Sequence, residues 1–313
     1  MPHVNSLTGP VDSQKLGFTL MHEHIYVLSW SMRQAFPGWL DRQSLIDAAV
    51  RELAVVHASG VDTVVDCTAI NLGRDVSMMR EVAERSDVHI IASGGLYWTE
   101  EPWLDKWDAD QLFDWLMKDL ESMEGTGVKP GIIKCGTDRF GITPLNEKLL
   151  RVTARLHRAS GLSITTHTTV ANRSALDQLD LFAAEGVDLS HVVIGHCGDS
   201  EDMEMLEAIL ARGCFIGMDR FRPVHQFPTE KRVKVIAGLC RRGYAGQMVL
   251  GHDVDVASDF GKYRRPSPAN PDVAERVYCY VPDVVVPALR AAGVTDGQIR
   301  QMTQENPRRV FER

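Results

Sequence analysis

Six residues of this sequence have the types and spacing of a metal-binding site. The stretch FTLMHEHIYV (18–27) has strand character and carries His22 and His24 two residues apart. Side chains two apart on a strand share a face, so both imidazoles point one way and Glu23 points the other. Later β-branched runs add Lys134 in GIIKCGTD, His167 in LSITTHTT, His196 in HVVIGHCGD and Asp253 in QMVLGHDVD. Neutral imidazole is the commonest metal ligand. Four imidazoles and a carboxylate suit a divalent cation of the zinc type, and the same donors accept cobalt, manganese or iron. His57, His89, His157, His191 and His225 stand outside the pattern and read as ordinary surface or core residues.

Lys134 is the odd member. An ammonium inside an apolar strand is costly unless it is paired or neutralised. One chemistry that rationalises it is a Schiff-base nucleophile activated by desolvation. The other is carbamylation by carbon dioxide, which turns the cation into an anionic donor whose two oxygens can bridge two metal ions. The bridge is the better fit, because a Schiff-base lyase has no use for so many ligands. A non-catalytic binding barrel gives no reason for the ligand set at all.

These residues need a scaffold that gathers strand ends. Eight β-branched runs recur, at 17–27, 61–69, 88–97, 131–138, 162–169, 191–199, 214–221 and 247–255. Several are apolar almost throughout, as in parallel strands covered on both sides. Helical patterns lie between them. RQSLIDAAVRELAVVHASG stops at Gly60. DADQLFDWLMKDLESMEG has Asp108 or Asp110 as cap and Gly125 as stop. TPLNEKLLRVTARLHRASG opens with Thr143 as cap and Pro144 in the first turn. Eight alternating units predict a (β/α)8 TIM barrel forming a single domain over 1–313, with its chemistry at the C-terminal ends of the strands. An open doubly wound sheet is the competing topology, but it wants a glycine-rich phosphate turn after an early strand, and none is evident.

Composition narrows the function. A net charge of −8 provides no broad basic surface for nucleic acid. No apolar run reaches the roughly 18 residues of a membrane span, and the start of the chain lacks the basic-then-apolar pattern of a secretory signal. The six cysteines are scattered without a CxxC pair. They read as small hydrophobes in a reducing cytoplasm.

The stretches GFTLMHEH, GVDTVVDCT, GRDVSMMREVA, GIIKCGTD, TTHT, EGVDLSHVVIGHCGD, GMDRF, GHDVD and ENPRRVF run through nearly the whole chain. Together they resemble the phosphotriesterase family of the amidohydrolase superfamily, and its lactonase branch more closely. The resemblance implies a binuclear centre. His22, His24 and Asp253 would hold a buried ion, and His167 and His196 a more exposed one. Lys134, as its carbamate, would bridge the two along with a hydroxide. It also implies a homodimer and a lactone or ester substrate, with Asp253 moving the proton. Tyr97 in GGLYW would face the substrate carbonyl, and Arg220 in GMDRF matches the arginine after the seventh strand. Segment 221–243 is short, as in that branch. Thr99 and Val254–Asp255–Val256 depart from its pattern, and the loop GKYRRPSPANP (261–271) matches no substrate. Asp199 and Asp255 are candidates for fixing imidazole tautomers. Trp98, Trp103 and Trp107 could wall an apolar pocket or pack the rim.

Overall fold

A computed structural model describes residues 2–99, 101–222, 227–259 and 277–312. The loop at 261–271 and His225 lie outside the described residues. The strands are β1 (His3–Ser6), β2 (Gly9–Asp12), β3 (Thr19–Val27), β4 (Thr63–Asp66), β5 (His89–Gly95), β6 (Ile132–Gly136), β7 (Ser163–His167), β8 (Val192–Ile194), β9 (Phe215–Met218), β10 (Met248–Leu250) and β11 (Asp255–Ser258). β1 and β2 form an antiparallel hairpin, and the others form one parallel sheet in the order β10-β9-β8-β7-β6-β5-β4-β3-β11.

The sheet is a TIM barrel with a divided eighth strand. The sequence reads 247–255 as a single run, but the chain breaks at 251–254. β10 pairs with β9 on one side of the break, and β11 pairs with β3 on the other. Backbone bonds bridge the gap: Asp253 N–H donates to the His22 carbonyl and His24 N–H to the Val254 carbonyl, each at 2.9 Å. Gly251 permits this approach, since a Cβ there would lie 2.9 Å from the His22 nitrogen.

Both faces of the sheet are covered, which explains why several runs fail to alternate. Leu20, Val64 and Ile90 pack outward with the helices. Met21, Val65, Ile91, Val193, Phe215 and Val249 fill the barrel interior, where Val4 of the hairpin and Val310 of the last helix join them. Each such buried side chain contributes about 1.5–3 kcal/mol.

The helices start where the sequence signals place them. Asp41 caps Arg42–Ala58. Asp108 forms a capping box with Gln111 ahead of Ala109–Glu121. Thr143 caps Pro144–Ser160, with Pro144 in the first turn and Gly161 left-handed at the end. The helix before Gly125 ends earlier, at Glu121. All six cysteines are buried, and no disulfide joins them among the described residues. Among the described residues no helix is long and apolar enough to cross a membrane.

Candidate metal centre

β3 carries a bulge. Leu20 is in register with Val64 and Glu23 with Asp66, so three steps on β3 match two on β4. An extra residue of this kind re-aims side chains. Met21 stays in the apolar interior while His22, next to it, joins the ligand cluster; His24 follows, and Glu23 faces the other way.

The six candidate ligands meet at the C-terminal mouth. Lys134 Nζ lies 3.0 Å from His22 Nε2. Asp253 Oδ1 lies 3.2 Å from His24 Nε2 and 3.6 Å from His22 Nε2. His167 Nδ1 and His196 Nε2 are 2.8 Å apart, and His196 Nδ1 is 3.8 Å from Asp253 Oδ2. One donor atom each from His22, His24 and Asp253 falls within 4.8 Å of the others. Tyr97 also reaches the cluster, its hydroxyl 3.1 Å from His167 Nδ1. Its loop is pinned by Asn71, which accepts from Tyr97 N–H at 2.6 Å and donates to the Tyr97 and Thr99 carbonyls.

The far nitrogens of the imidazoles are held from behind, which fixes ring orientation. Thr68 Oγ1 lies 2.9 Å from His24 Nδ1. Asp219 serves two rings: it accepts from His196 Nδ1 at 2.9 Å and from His196 N–H at 3.0 Å, and sits 3.3 Å from His22 Nδ1. Gly217 leaves room for it, because a Cβ there would lie 2.8 Å from Asp219 Oδ2. Asp138 Oδ1 is 3.7 Å from His167 Nε2. The sequence reading proposed Asp199 and Asp255 for this work. Asp199 instead binds Arg220 and Arg232, and Asp255 stands in register with His24 on β11. Asp219 is not among those two candidates. The available signal was its position one residue past a strand end, where the other site residues cluster.

Arg220 pairs with the other two acids near it. Its Nε donates to Asp253 Oδ2 at 2.9 Å and its terminal nitrogen to Asp199 at 2.8 Å. His196, Arg220 and Asp253 all have left-handed backbones, with φ of 64°, 64° and 52°. Such conformations each cost about 1–3 kcal/mol and concentrate at functional sites.

Electrostatics leaves His22, His167, His196 and Asp253 in ligating form. Burial, followed by the Lys134 charge, lowers the His22 pKa to about 3. Burial likewise lowers His167 and His196 to about 4. All three are neutral at pH 7. Burial alone would raise Asp253, but His196, the His24 hydrogen bond and Arg220 hold it well below the usual carboxylate range. Burial pushes the Tyr97 phenol up, so it stays a donor. Neutral imidazoles and ionised carboxylates around a common point are a donor set that fits divalent cations.

The tryptophans divide. Trp98 packs against Tyr97, with ring centroids 5.7 Å apart, and lines a cleft of about 200 Å3 with Asp138 and Phe140. Trp103 and Trp107 pack edge to face and continue to Trp115, lining a separate cleft of about 600 Å3 with Ile70 and Leu96.

The Phosphotriesterase family sequence model matches residues 2–311. The solved structure of the phosphotriesterase from Mycobacterium tuberculosis is 40% identical, superposes with a TM-score of 0.91 and covers 100% of this chain and 99% of that one. An aryldialkylphosphatase from Saccharolobus solfataricus is 31% identical, with 96% of each chain covered. An N-acetyltaurine hydrolase from Rattus norvegicus is 25% identical, with 97% of this chain and 96% of the relative covered.

Proposed function

The chain belongs to the phosphotriesterase family, a family of hydrolases, and from that premise we propose that it opens lactone rings at a binuclear metal centre. His22, His24 and Asp253 would hold a buried cation, His167 and His196 a more exposed one, and Lys134, as its carbamate, would donate to both. Zinc is the favoured metal, with cobalt, manganese or iron as substitutes. When bound, such a pair supplies a Lewis acid for the substrate oxygen and lowers the pKa of water.

The chain's own groups do the rest. Asp253, ionised and held by Arg220, accepts a proton from the attacking water and returns it to the leaving oxygen. That oxygen stays tethered in a lactone, so proton return matters more than departure. Tyr97 donates a hydrogen bond to the substrate carbonyl, and Asp199 steadies Arg220. The observation that carries this reading is the Lys134 amine, buried 3.0 Å from an imidazole nitrogen inside the ligand cluster. The same reading includes a homodimer of a single-domain chain in the cytoplasm.

A second reading keeps the site and changes the substrate. Relatives named for aryldialkylphosphate and N-acetyltaurine hydrolysis support a phosphotriester or an amide equally well, and a carboxylester would call on the same groups. The test loads the enzyme with zinc or cobalt in the presence of bicarbonate. Values of kcat/KM are then compared on acyl-homoserine lactones, simple γ- and δ-lactones, aryl esters, an N-acyl amide and an aryl phosphotriester. Lactones are expected to rank first; if they rank last, the substrate assignment is wrong.

A further inference from the structure

Glu23 stands between two ligands, yet the proposed chemistry leaves it unused. It is fully buried. Its Oε1 accepts two hydrogen bonds from one residue, the His252 backbone N–H at 2.8 Å and His252 Nδ1–H at 2.7 Å. Its Oε2 has no hydrogen-bond partner among the described residues. A buried carboxyl with one oxygen unsatisfied opposes folding, so packing alone does not account for it.

His252 is equally buried, and its ring is fully specified. Nε2 accepts from the Val281 backbone N–H at 2.8 Å. A backbone N–H cannot accept, so Nε2 carries no proton, and the single ring proton lies on Nδ1, facing Glu23. The residue sits within the break of the eighth strand, directly before the left-handed Asp253. β3 therefore grips this break in two ways. Its backbone bonds Asp253 and Val254, and Glu23 reaches out from the opposite face to hold His252. Beside them Tyr278, its ring centroid 6.2 Å from that of His252, donates to the His24 carbonyl at 2.5 Å.

We propose that Glu23 and His252 are positioning residues, which hold the Asp253 carboxylate against His22 and His24 from behind the strand. The inference rests on the metal-centre reading above and deepens it. The glutamate of the H-x-H pair then belongs to the site although it faces away from it.

The test measures cobalt affinity of the full chain by chelator competition, beside the thermal midpoint of the metal-free protein. Three variants are compared. Glu23→Ala removes the acceptor. His252→Asn keeps an N–H donor where Nδ1–H lies. His252→Gln can reach Val281 but offers Glu23 no side-chain donor, leaving only the backbone N–H. The expected result is a loss of about 10–100-fold in cobalt affinity for Glu23→Ala and His252→Gln, as when partners behind metal ligands are removed. His252→Asn stays near wild type, and the two His252 variants share one metal-free midpoint. Wild-type affinity in Glu23→Ala and His252→Gln overturns the inference alone. So does equal weakening of both His252 variants in step with their midpoints, which covers the case where Glu23→Ala does not fold. A wild-type chain that takes up no cobalt overturns the metal centre itself, and this inference with it.

Discussion

The two ends of the barrel interior are built on opposite principles. At the base, Met21, Val65, Ile91, Val193, Phe215 and Val249 form one apolar cluster. At the mouth, one residue further along β3, imidazoles and carboxylates crowd together, and three backbones are left-handed. The base contributes stability, while the mouth spends some of it to hold reactive groups in place. The bulge on β3 is where one regime passes to the other.

The comparison can be broken most sharply with one substitution at each end. Asp253→Asn should lower kcat by about 10²–10⁴-fold on the best substrate, the range for losing a general acid–base, while the folded protein persists by circular dichroism. Phe215→Ala should do the reverse. It should cost about 3–5 kcal/mol in urea unfolding and leave kcat unchanged per folded molecule. A base substitution that cuts kcat while sparing stability would dissolve the division.

Titration sharpens it. His22, His167 and His196 are held near pKa 3 to 4 in the fold, against about 6.5 when unfolded. Between those values the unfolded chain binds more protons, so stability rises with pH. Calorimetry of the metal-free protein should show the midpoint falling as pH drops from about 6.5 towards 4. A midpoint flat across that window would mean the mouth imidazoles are not buried as neutral groups. The smallest effect belongs to Tyr97→Phe. Loss of one neutral hydrogen bond, about 0.5–1.5 kcal/mol, should lower kcat/KM on lactones roughly two- to tenfold. No change would remove Tyr97 from the mechanism.

Much of the scaffold was legible because its signals are local. Thr143 followed by Pro144 announces a helix start, and eight apolar runs separated by amphipathic patterns announce a barrel. The convergence of the candidate residues was legible because each sits near a strand end. What stayed hidden depends on register between strands. The run LMHEH contains nothing to say that Met21 and His22 both turn inward, since a bulge shows only against a partner strand. The eighth run reads as continuous, and only pairing with β9 and then β3 reveals its break. Asp219 behind two imidazoles and Glu23 beneath His252 are contacts between residues far apart in sequence, which no spacing rule reaches.

The seam of the ring has a consequence for assembly. Five of the six candidate ligands precede residue 200, so most of the donor set emerges early in synthesis. The last acid arrives only with the stave that changes neighbours to shut the cylinder. Because pairing across such sequence distance forms slowly, a half-made chain has imidazoles but no finished cage. Tight cation uptake should therefore report the moment the cylinder closes, and a chain stopped short of that stave should neither hold its ions nor turn over.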